Sequence, residues 1–586
     1  MWRLSDVMPA TKSRESNEIF SRLEERTASF EALRLKLPDF GRIQIEDFLR
    51  IYEEINEILA RVGAHAYMHF SEDTRNQEAK ALLDRAEEQR ADIDNRVLFF
   101  RLWWIGLDDG KARDVMPSDS DHAYFLSSLR KLRPHTLEEK VEQALNLKNT
   151  TGFSGWVHHY DQITSDYTFE LRPKGRGAKR SRRPRKLVRD EVSRLFASPD
   201  PALRKEAYQA LLGKYAEGGR MLGEVYRTIV RDWKNEYVKL RAYSSPISPR
   251  NLENDVPDGS VEALLAACKE NAVVFQNFFR LKGSMLVRGR ITRYDIYAPL
   301  QKRERRITYS KAVAMVMEAF GEFDEKFAGL AKKVFEVQHV DTSPRKGKET
   351  GAYCMSVTPA VVPFLLLNYA GRLADVYTIA HESGHAVHSQ LSSGHSVLTF
   401  MPPLVLAETA SVFGEMLLFD KMMKAERDPD VKKDVLLEKI SSMYATIGRQ
   451  AYFVLFETDA HRAVAEGATV EKLCALYLSN LTDQFGDAVR VADAFKWEWT
   501  SIPHIYHTPF YCYAYAFGNL LSLALYDRYV REGREFVPSY LKILAYGGSK
   551  GPAEILQEVG IDVSSKAFWQ GGFDVVGRMV KELRGL

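Results

Sequence analysis

The chain has 586 residues, 45% of them hydrophobic and 27% charged. That is a globular composition, with material for roughly three to four average domains or two large ones. Its 82 basic and 79 acidic side chains leave a formal net charge of only +3, which argues against nucleic acid as the main partner.

The first residues, "MWRLSDVMPATKSRESNEIF", lack a continuous apolar core of signal-peptide length. The most apolar stretches, "AVVPFLLLNYAG" and "YCYAYAFGNLLSLALY", are too short or too polar to span a bilayer. Cys268, Cys354, Cys474 and Cys512 form no C-x-x-C pair and no disulfide-framework spacing, which suits a reducing compartment. A cytoplasmic chain with no membrane partner is expected, and no feature specifies an oligomeric state.

Helical periodicity dominates from the start. "IEDFLRIYEEINEILARVGAHAYMHF", "TLEEKVEQALNLKN" and "ALRKEAYQALLGKYAEGGRMLGEVYRTIVRDWKNEYVKLRAY" carry apolar residues every three or four positions. Brief stop signals between such segments predict antiparallel helical hairpins. Lys or Arg then fills ten of the eighteen positions from Arg172 to Arg189. This run is a docking patch for an acidic partner or a solvated hairpin between short strands. The hairpin is preferred, because one loop is a poor electrostatic footprint for nucleic acid. "SPDPALRKEAY" restarts a helix through Asp200 and Pro201. The chain is therefore divided into an N-terminal helical lobe, 1–198, with a basic hairpin near 165–190, and a domain spanning 199–586.

Residues 351–371, "GAYCMSVTPAVVPFLLLNYAG", read differently. Pro359 and Pro363 forbid a regular helix, and the Val361, Val362 and "FLLLNY" positions favour extended chain. A short strand or hairpin is predicted, leading directly into the next helix. Proline tolerates only sheet edges, so one edge is left open to a peptide's main chain, with Gly351 and Ala352 at its start as substrate-binding positions. Cys354 lies here without a histidine partner and reads as a small buried residue.

The next segment, "YTIAHESGHAVHSQL", carries the chemistry. Residues four apart on a helix lie about 40° apart around its axis, so His381 and His385 can aim two imidazoles at one ion. Glu382, turned away by about 100°, is placed beside a water rather than as a ligand. This is the content of H-E-x-x-H: two zinc ligands and a general base. Gly384 lets another element approach closely. The plainer reading is a pair of histidines on a half-buried helix.

Zinc needs a third protein ligand and leaves a fourth position for water. A histidine in H-E-x-x-H-x-x-G-x-x-H is ruled out, since the glycine position holds His388 and the last position Leu391. The alternative is a glutamate from the later helix "PPLVLAETASVFGEMLLFDKMM", which begins at Pro402 and Pro403. Glu408 is taken as the ligand, and Glu415, seven residues on, as an acceptor for a ligand imidazole N–H. Asp375 and His388 either orient a ligand or serve structural hydrogen bonds. "AYGGSKGP" lacks phosphate-loop spacing and reads as a turn between helices.

The run from Gly351 through "HESGHAVHS", with "LAETASVFGEML", "WEWTSIPHIYHTPFYCYAYAFGNLL" and "YLKILAYGGSKGPAEILQEVGIDVSSKAFWQGGF", resembles the oligoendopeptidase F branch of the thimet-oligopeptidase family of zinc metallopeptidases. The matches span roughly residues 200 to 580. The resemblance implies a mainly α, two-lobed helical metallopeptidase. A deep substrate channel and a small β-sheet next to the zinc-binding helix belong to that picture, with 199–586 as the catalytic domain. It implies one zinc ion per chain on His381, His385 and Glu408, with Glu382 as the base. It also implies transition-state donors from the C-terminal aromatic segment: His504 and, from the tyrosine run, Tyr513. Tyr506, seven residues earlier, is assigned to substrate binding on the same helical face if the helix extends that far. Tyr511 and Tyr515 are read as core aromatics. The segment departs from the thimet branch in lacking its glycine-rich loop.

The expected activity is zinc-dependent hydrolysis of internal bonds in short unstructured peptides. The alternatives are a carboxypeptidase or dipeptidyl peptidase of similar helical fold, which needs a cationic pocket for a substrate terminus, or a non-catalytic binding protein.

Overall fold

The computed structural model describes residues 2–9, 14–118, 120–171, 185–287, 289–300 and 306–586. Most of the basic run, 172–184, lies outside the described residues. The fold is mainly α with small sheets. Among the described residues there are seven strands: β1 (Phe169–Leu171), β2 (Arg185–Leu187), β3 (Ile291–Thr292), β4 (Val340–Asp341), β5 (Tyr353–Met355), β6 (Phe364–Leu366) and β7 (Val489–Arg490). No described helix is long and apolar enough to cross a membrane.

Two compact units form, each from three separated segments. The first comprises Met1–Pro134, Glu304–Met422 and Leu525–Asp562; the second comprises His135–Arg303, Met423–Ala524 and Val563–Leu586. Neither ends at the boundary expected near residue 198. Asp200 does start a helix, accepting from the Ala202 N–H at 2.9 Å, but that start lies inside the second unit.

In the first unit, the helix Arg42–Glu72 buries Ile45, Phe48, Leu49, Tyr52, Ile55, Leu59 and Val62, the three- and four-residue spacing of an amphipathic helix. The next helix, Gln77–Gly106, is capped by the Asn76 side chain, which accepts from the Glu78 and Ala79 N–H groups. A three-stranded sheet of order β4-β6-β5 packs against these helices. Strand β4 runs parallel to β6, and β5 antiparallel with Tyr353 opposite Leu366 and Met355 opposite Phe364. The hairpin predicted around the two prolines is thus present, and β5 is an edge strand.

All three residues of β6 are buried. Strand alternation explains why: successive side chains leave on opposite faces. Phe364 and Leu366 enter the core shared with Leu49, Phe100 and Trp104. Leu365 faces the other way, onto Val334 and Ala386. Ala386 belongs to the helix Leu373–Leu391, so one face of the sheet is a floor for the histidine-bearing helix.

In the second unit, β1 and β2 pair antiparallel, Phe169 opposite Leu187, and flank the basic run as a hairpin. The aromatic segment forms a short helix, His504–His507, then a longer one, Tyr513–Glu532. They are not continuous: Phe510 has φ 60°, a left-handed conformation that no helix accommodates.

Candidate active site

The helix Leu373–Leu391 is uninterrupted, so the i, i+4 geometry is realised. Asp375 closes its first turn, its Oδ2 accepting from the Ala370 N–H at 2.8 Å and the Arg372 N–H at 2.9 Å. The expected ligand-orienting role of Asp375 is therefore replaced by helix capping, because both bonds satisfy backbone donors at the helix start. His388 is buried, and burial pushes its pKa down to about 3. It is a neutral core histidine.

Glu408 does not lie within one continuous helix, as the sequence predicts. It stands at a break between Leu404–Ala407 and Thr409–Ala425. Close approach brings it to the histidines. A Cβ on Gly384 would lie 2.4 Å from the Ala410 carbonyl oxygen and 2.6 Å from Ser411 Cα. Only glycine permits that contact. The Tyr540 hydroxyl donates to the Thr409 carbonyl at 3.1 Å, and its ring stacks on Phe413 at 4.1 Å, bracing the start of the second helix.

The convergence is close to an equilateral triangle. His381 Nε2 and His385 Nε2 are 3.2 Å apart, and Glu408 Oε2 is 3.3 Å from the first and 3.5 Å from the second. A tetrahedral zinc ion with ligands at about 2.0–2.2 Å would hold them about 3.3–3.6 Å from one another. Two imidazoles and a carboxylate also suit zinc chemically. The donor set fits the metal.

Supporting contacts fix each donor. Glu415 Oε1 accepts from His381 Nδ1 at 2.7 Å, which turns Nε2 toward the cluster. Burial lowers the His381 pKa, but the Glu415 hydrogen bond and the surrounding carboxylates outweigh it and hold it at about 9. Binding of a cation displaces that proton. His385 is pushed the opposite way by burial and the His381 charge. Ser411 Oγ donates to Glu408 Oε2 at 2.6 Å, a contact missed in the sequence, although the spacing of three on a helix start could have flagged it. Glu382 is buried beside them, and burial pushes its pKa up to about 7.

Strand β5 lies next to this base. Burial, together with the Glu382 charge, raises the Cys354 thiol well above its usual range. Cys354 is thus a protonated thiol rather than a nucleophile. Of the two proposed peptide-aligning positions, Gly351 has its carbonyl engaged by Asn368 Nδ2 at 2.9 Å. Ala352, half-buried, precedes the edge strand directly.

The aromatic segment of the second unit is arranged differently from the expectation. Tyr513 is fully buried; its hydroxyl accepts from Asn254 Nδ2 at 2.7 Å and donates to the Arg250 carbonyl at 3.4 Å. Tyr506 is likewise buried, stacked on Tyr160 at 3.9 Å and bonded to the Leu222 carbonyl at 3.4 Å. Both are core residues here, which corrects the roles expected of them. The half-buried tyrosines are Tyr511 and Tyr515. Their rings are 5.3 Å apart, and each is 6.1 Å from the His504 ring. The turn at Phe510 sets this phase.

A largely helical chain that presents two imidazoles and a carboxylate in zinc-ligand geometry, beside a buried glutamate, has the features of a metallopeptidase of the H-E-x-x-H type. Comparison with known proteins gives the same class. Residues 194–575 match the model for peptidase family M3, and residues 104–169 match that for oligopeptidase F. The chain belongs to peptidase family M3.

Among its relatives, the oligopeptidase PepF of Bacillus subtilis is 24% identical over 573 residues, 96% of this chain and 84% of the relative. An oligoendopeptidase F homolog of Borreliella burgdorferi is 24% identical over 584 residues, covering 97% and 96%. Among solved structures, the oligoendopeptidase-F of Enterococcus faecium superposes with a TM-score of 0.74 at 20% identity, over 98% of both chains. A Chlamydophila abortus protein superposes with a TM-score of 0.86 at 24% identity, over 100% of this chain and 98% of that one.

Proposed function

We propose that this peptidase is a zinc-dependent oligoendopeptidase that cuts internal bonds of short unstructured peptides. The observation that carries the reading is the triangle of His381 Nε2, His385 Nε2 and Glu408 Oε2, with edges of 3.2, 3.3 and 3.5 Å. A zinc ion held there supplies Lewis acidity toward the scissile carbonyl and lowers the pKa of the attacking water to about 7.

The chain's own residues then divide the work. Glu382 takes a proton from the attacking water and returns it to the leaving amine. Its burial keeps its basicity matched to neutral pH. Glu415 holds the His381 ring in place throughout. Ala352 and the free edge of β5 offer main-chain hydrogen bonds that align an extended peptide. His504 and the phenols of Tyr511 and Tyr515 stand together in the second unit as hydrogen-bond donors, while Tyr513 keeps its structural bonds.

The test is digestion of an end-blocked, internally quenched peptide with product ends mapped by mass spectrometry. Cleavage is expected to disappear on chelation and return with one equivalent of Zn2+ per chain. Cleavage restricted to peptides with a free terminus would instead select the carboxypeptidase or dipeptidyl peptidase reading.

A further inference from the structure

Within the first unit, the chain leaves the histidine helix at Leu391 and regains the donor cluster only at Glu408. The connecting segment, 392–403, is gripped by two N-terminal helices. Asp121, in the first turn of the helix Ser120–Arg130, receives three donors from it. His395 Nδ1 lies 2.9 Å from Oδ1, and the Ser396 N–H and the Thr399 hydroxyl lie 2.9 and 3.2 Å from Oδ2. Glu53, on Arg42–Glu72, accepts from the Ser396 hydroxyl and pairs with His122 Nε2 at 2.9 Å. Two carboxylates thus clasp three residues of one segment, and hydrogen bonds to a charged acceptor are the stronger kind.

The same segment is held from a third part of the chain. His395 Nε2 donates to the Ala545 carbonyl at 2.8 Å, and the Thr399 carbonyl accepts from the Gly548 N–H at 2.7 Å. Gly547 turns there with φ 51°, and a Cβ on it would strike the Phe400 carbonyl oxygen, so the turn in "AYGGSKGP" is seated directly on the segment. Inside the segment, the Phe400 N–H closes a turn on the Ser396 carbonyl at 2.8 Å. His395 therefore joins the N-terminal helices to the end of the helix Val537–Ala545.

What this clasp fixes is the approach to Glu408. The helix Leu404–Ala407 has four residues, far too few to be stable by itself, and Glu408 stands where it breaks. Beyond Glu408 the chain is braced by Gly384 against Ala410 and by Tyr540 on Thr409. Before it, the bracing starts at the clasp. A loose approach would have to be ordered when a metal binds, and that ordering subtracts from affinity; a pre-set approach avoids the loss. His381 and His385 are held by their own helix, the first also by Glu415, so they do not depend on the clasp.

We infer that Asp121 is a positioning residue for the metal centre: by gripping 395–399 it sets the chain that delivers Glu408. It acts through the segment it holds rather than on the metal. This rests on the zinc site proposed above and deepens it by naming what keeps the third ligand within reach.

The experiment uses the full chain, freed of metal and titrated with Zn2+ against a chromophoric chelator well below the melting temperature. Asp121→Ala is expected to weaken zinc binding by about tenfold, the size of roughly one charge-assisted contact. Asp121→Asn is expected to recover most of it. Its amide oxygen still accepts from the Ser396 N–H and Thr399, and its NH2 donates to His395 Nδ1 once that ring carries its proton on Nε2 alone. Asp108→Ala controls for stability. Asp108 caps the helix Asp109–Asp114, accepting from the Lys111 N–H at 2.9 Å, so its loss is expected to lower the melting temperature with zinc binding unchanged. Hydrogen exchange of the metal-free protein gives a second reading. In Asp121→Ala the amides of 404–411 are expected to exchange about tenfold faster, while those of 376–388 keep the parent's rate.

Zinc binding by Asp121→Ala equal to the parent's, or a loss that Asp108→Ala matches, overturns the inference. Faster exchange spread over both segments overturns it too, because a purely structural role loosens the unit as a whole. Should Asp121→Ala fail to fold, Thr399→Val, which drops one bond to the same carboxylate, carries the comparison, with Thr399→Ser as the variant that keeps it. A parent chain that takes up no zinc refutes the proposed function itself, whereas a zinc-binding parent with a silent Asp121→Ala refutes only the clasp.

Discussion

His381 Nδ1 meets Glu415 Oε1 at 2.7 Å, and this one contact decides which imidazole nitrogen turns toward Glu408. With Nδ1 committed to a carboxylate, Nε2 is the donor left for a metal. Glu415→Gln is expected to weaken zinc binding by about 10- to 100-fold while His385 and Glu408 remain in place. Competition with a chromophoric chelator measures this. An unchanged dissociation constant would contradict the orienting role.

Glu382→Gln separates metal binding from proton transfer. The residue is adjacent to His381 in sequence but is not one of the three converging donors. The variant is expected to retain one zinc per chain, by elemental analysis, and to lose about 10²- to 10⁴-fold in turnover. Full activity would remove Glu382 as the base.

Gly384→Ala tests the packing that delivers Glu408. The added carbon would lie 2.4 Å from the Ala410 carbonyl oxygen, so the two segments must separate. A loss of about 1–3 kcal/mol in stability is expected, read from denaturant melts, together with weaker zinc binding. Weakened zinc binding distinguishes this site from an ordinary overpacked core position.

The tyrosines give a crossed prediction. Tyr513→Phe removes the hydroxyl paired with Asn254 at 2.7 Å and is expected to cost about 1–3 kcal/mol of stability with turnover largely kept. Tyr511→Phe and Tyr515→Phe are expected to leave melting unchanged, and at least one to lower kcat by about 10²-fold. The reverse pattern would restore Tyr513 as the donor.

Lys282 gives the second unit a pH dependence of its own. Its Nζ donates to the Ile296 carbonyl at 2.7 Å and to Ser441 Oγ at 3.4 Å, and burial lowers its pKa to about 7. Between that value and the 10.5 of an exposed lysine, the unfolded chain binds a proton that the folded chain does not. Stability therefore rises with pH through this window, by up to about 1.4 kcal/mol per unit. Lys282→Met is expected to flatten the rise, checked by denaturant melts of both proteins from pH 7 to 10.

What the sequence made legible follows from which geometry is local. His381, Glu382 and His385 share one helix, so their spacing already encodes their directions. Glu408 was reachable as a carboxylate on a nearby segment, yet nothing in "LAET" announces a break between Ala407 and Thr409. Tyr506 joins Tyr513 on one face only if a single helical phase runs from 506 to 513, whereas the positive φ of Phe510 resets it, and phenylalanine gives no warning of that conformation. The division into units was hidden for a related reason. Two of its crossings, after Met422 and after Ala524, fall inside the helices Thr409–Ala425 and Tyr513–Glu532, where no proline- or glycine-rich linker marks a border.

Strand β6 bears on how far this enzyme can be trimmed. Phe364 and Leu366 are covered by the N-terminal helices, and Leu365 by the helix that carries the two histidines. A truncated chain starting at residue 194, where the M3 match begins, would bare one side of the strand to water and leave the histidine helix on an unsupported sheet. The N-terminal third is foundation to the metal centre, and a minimal protease cannot be carved out by discarding it.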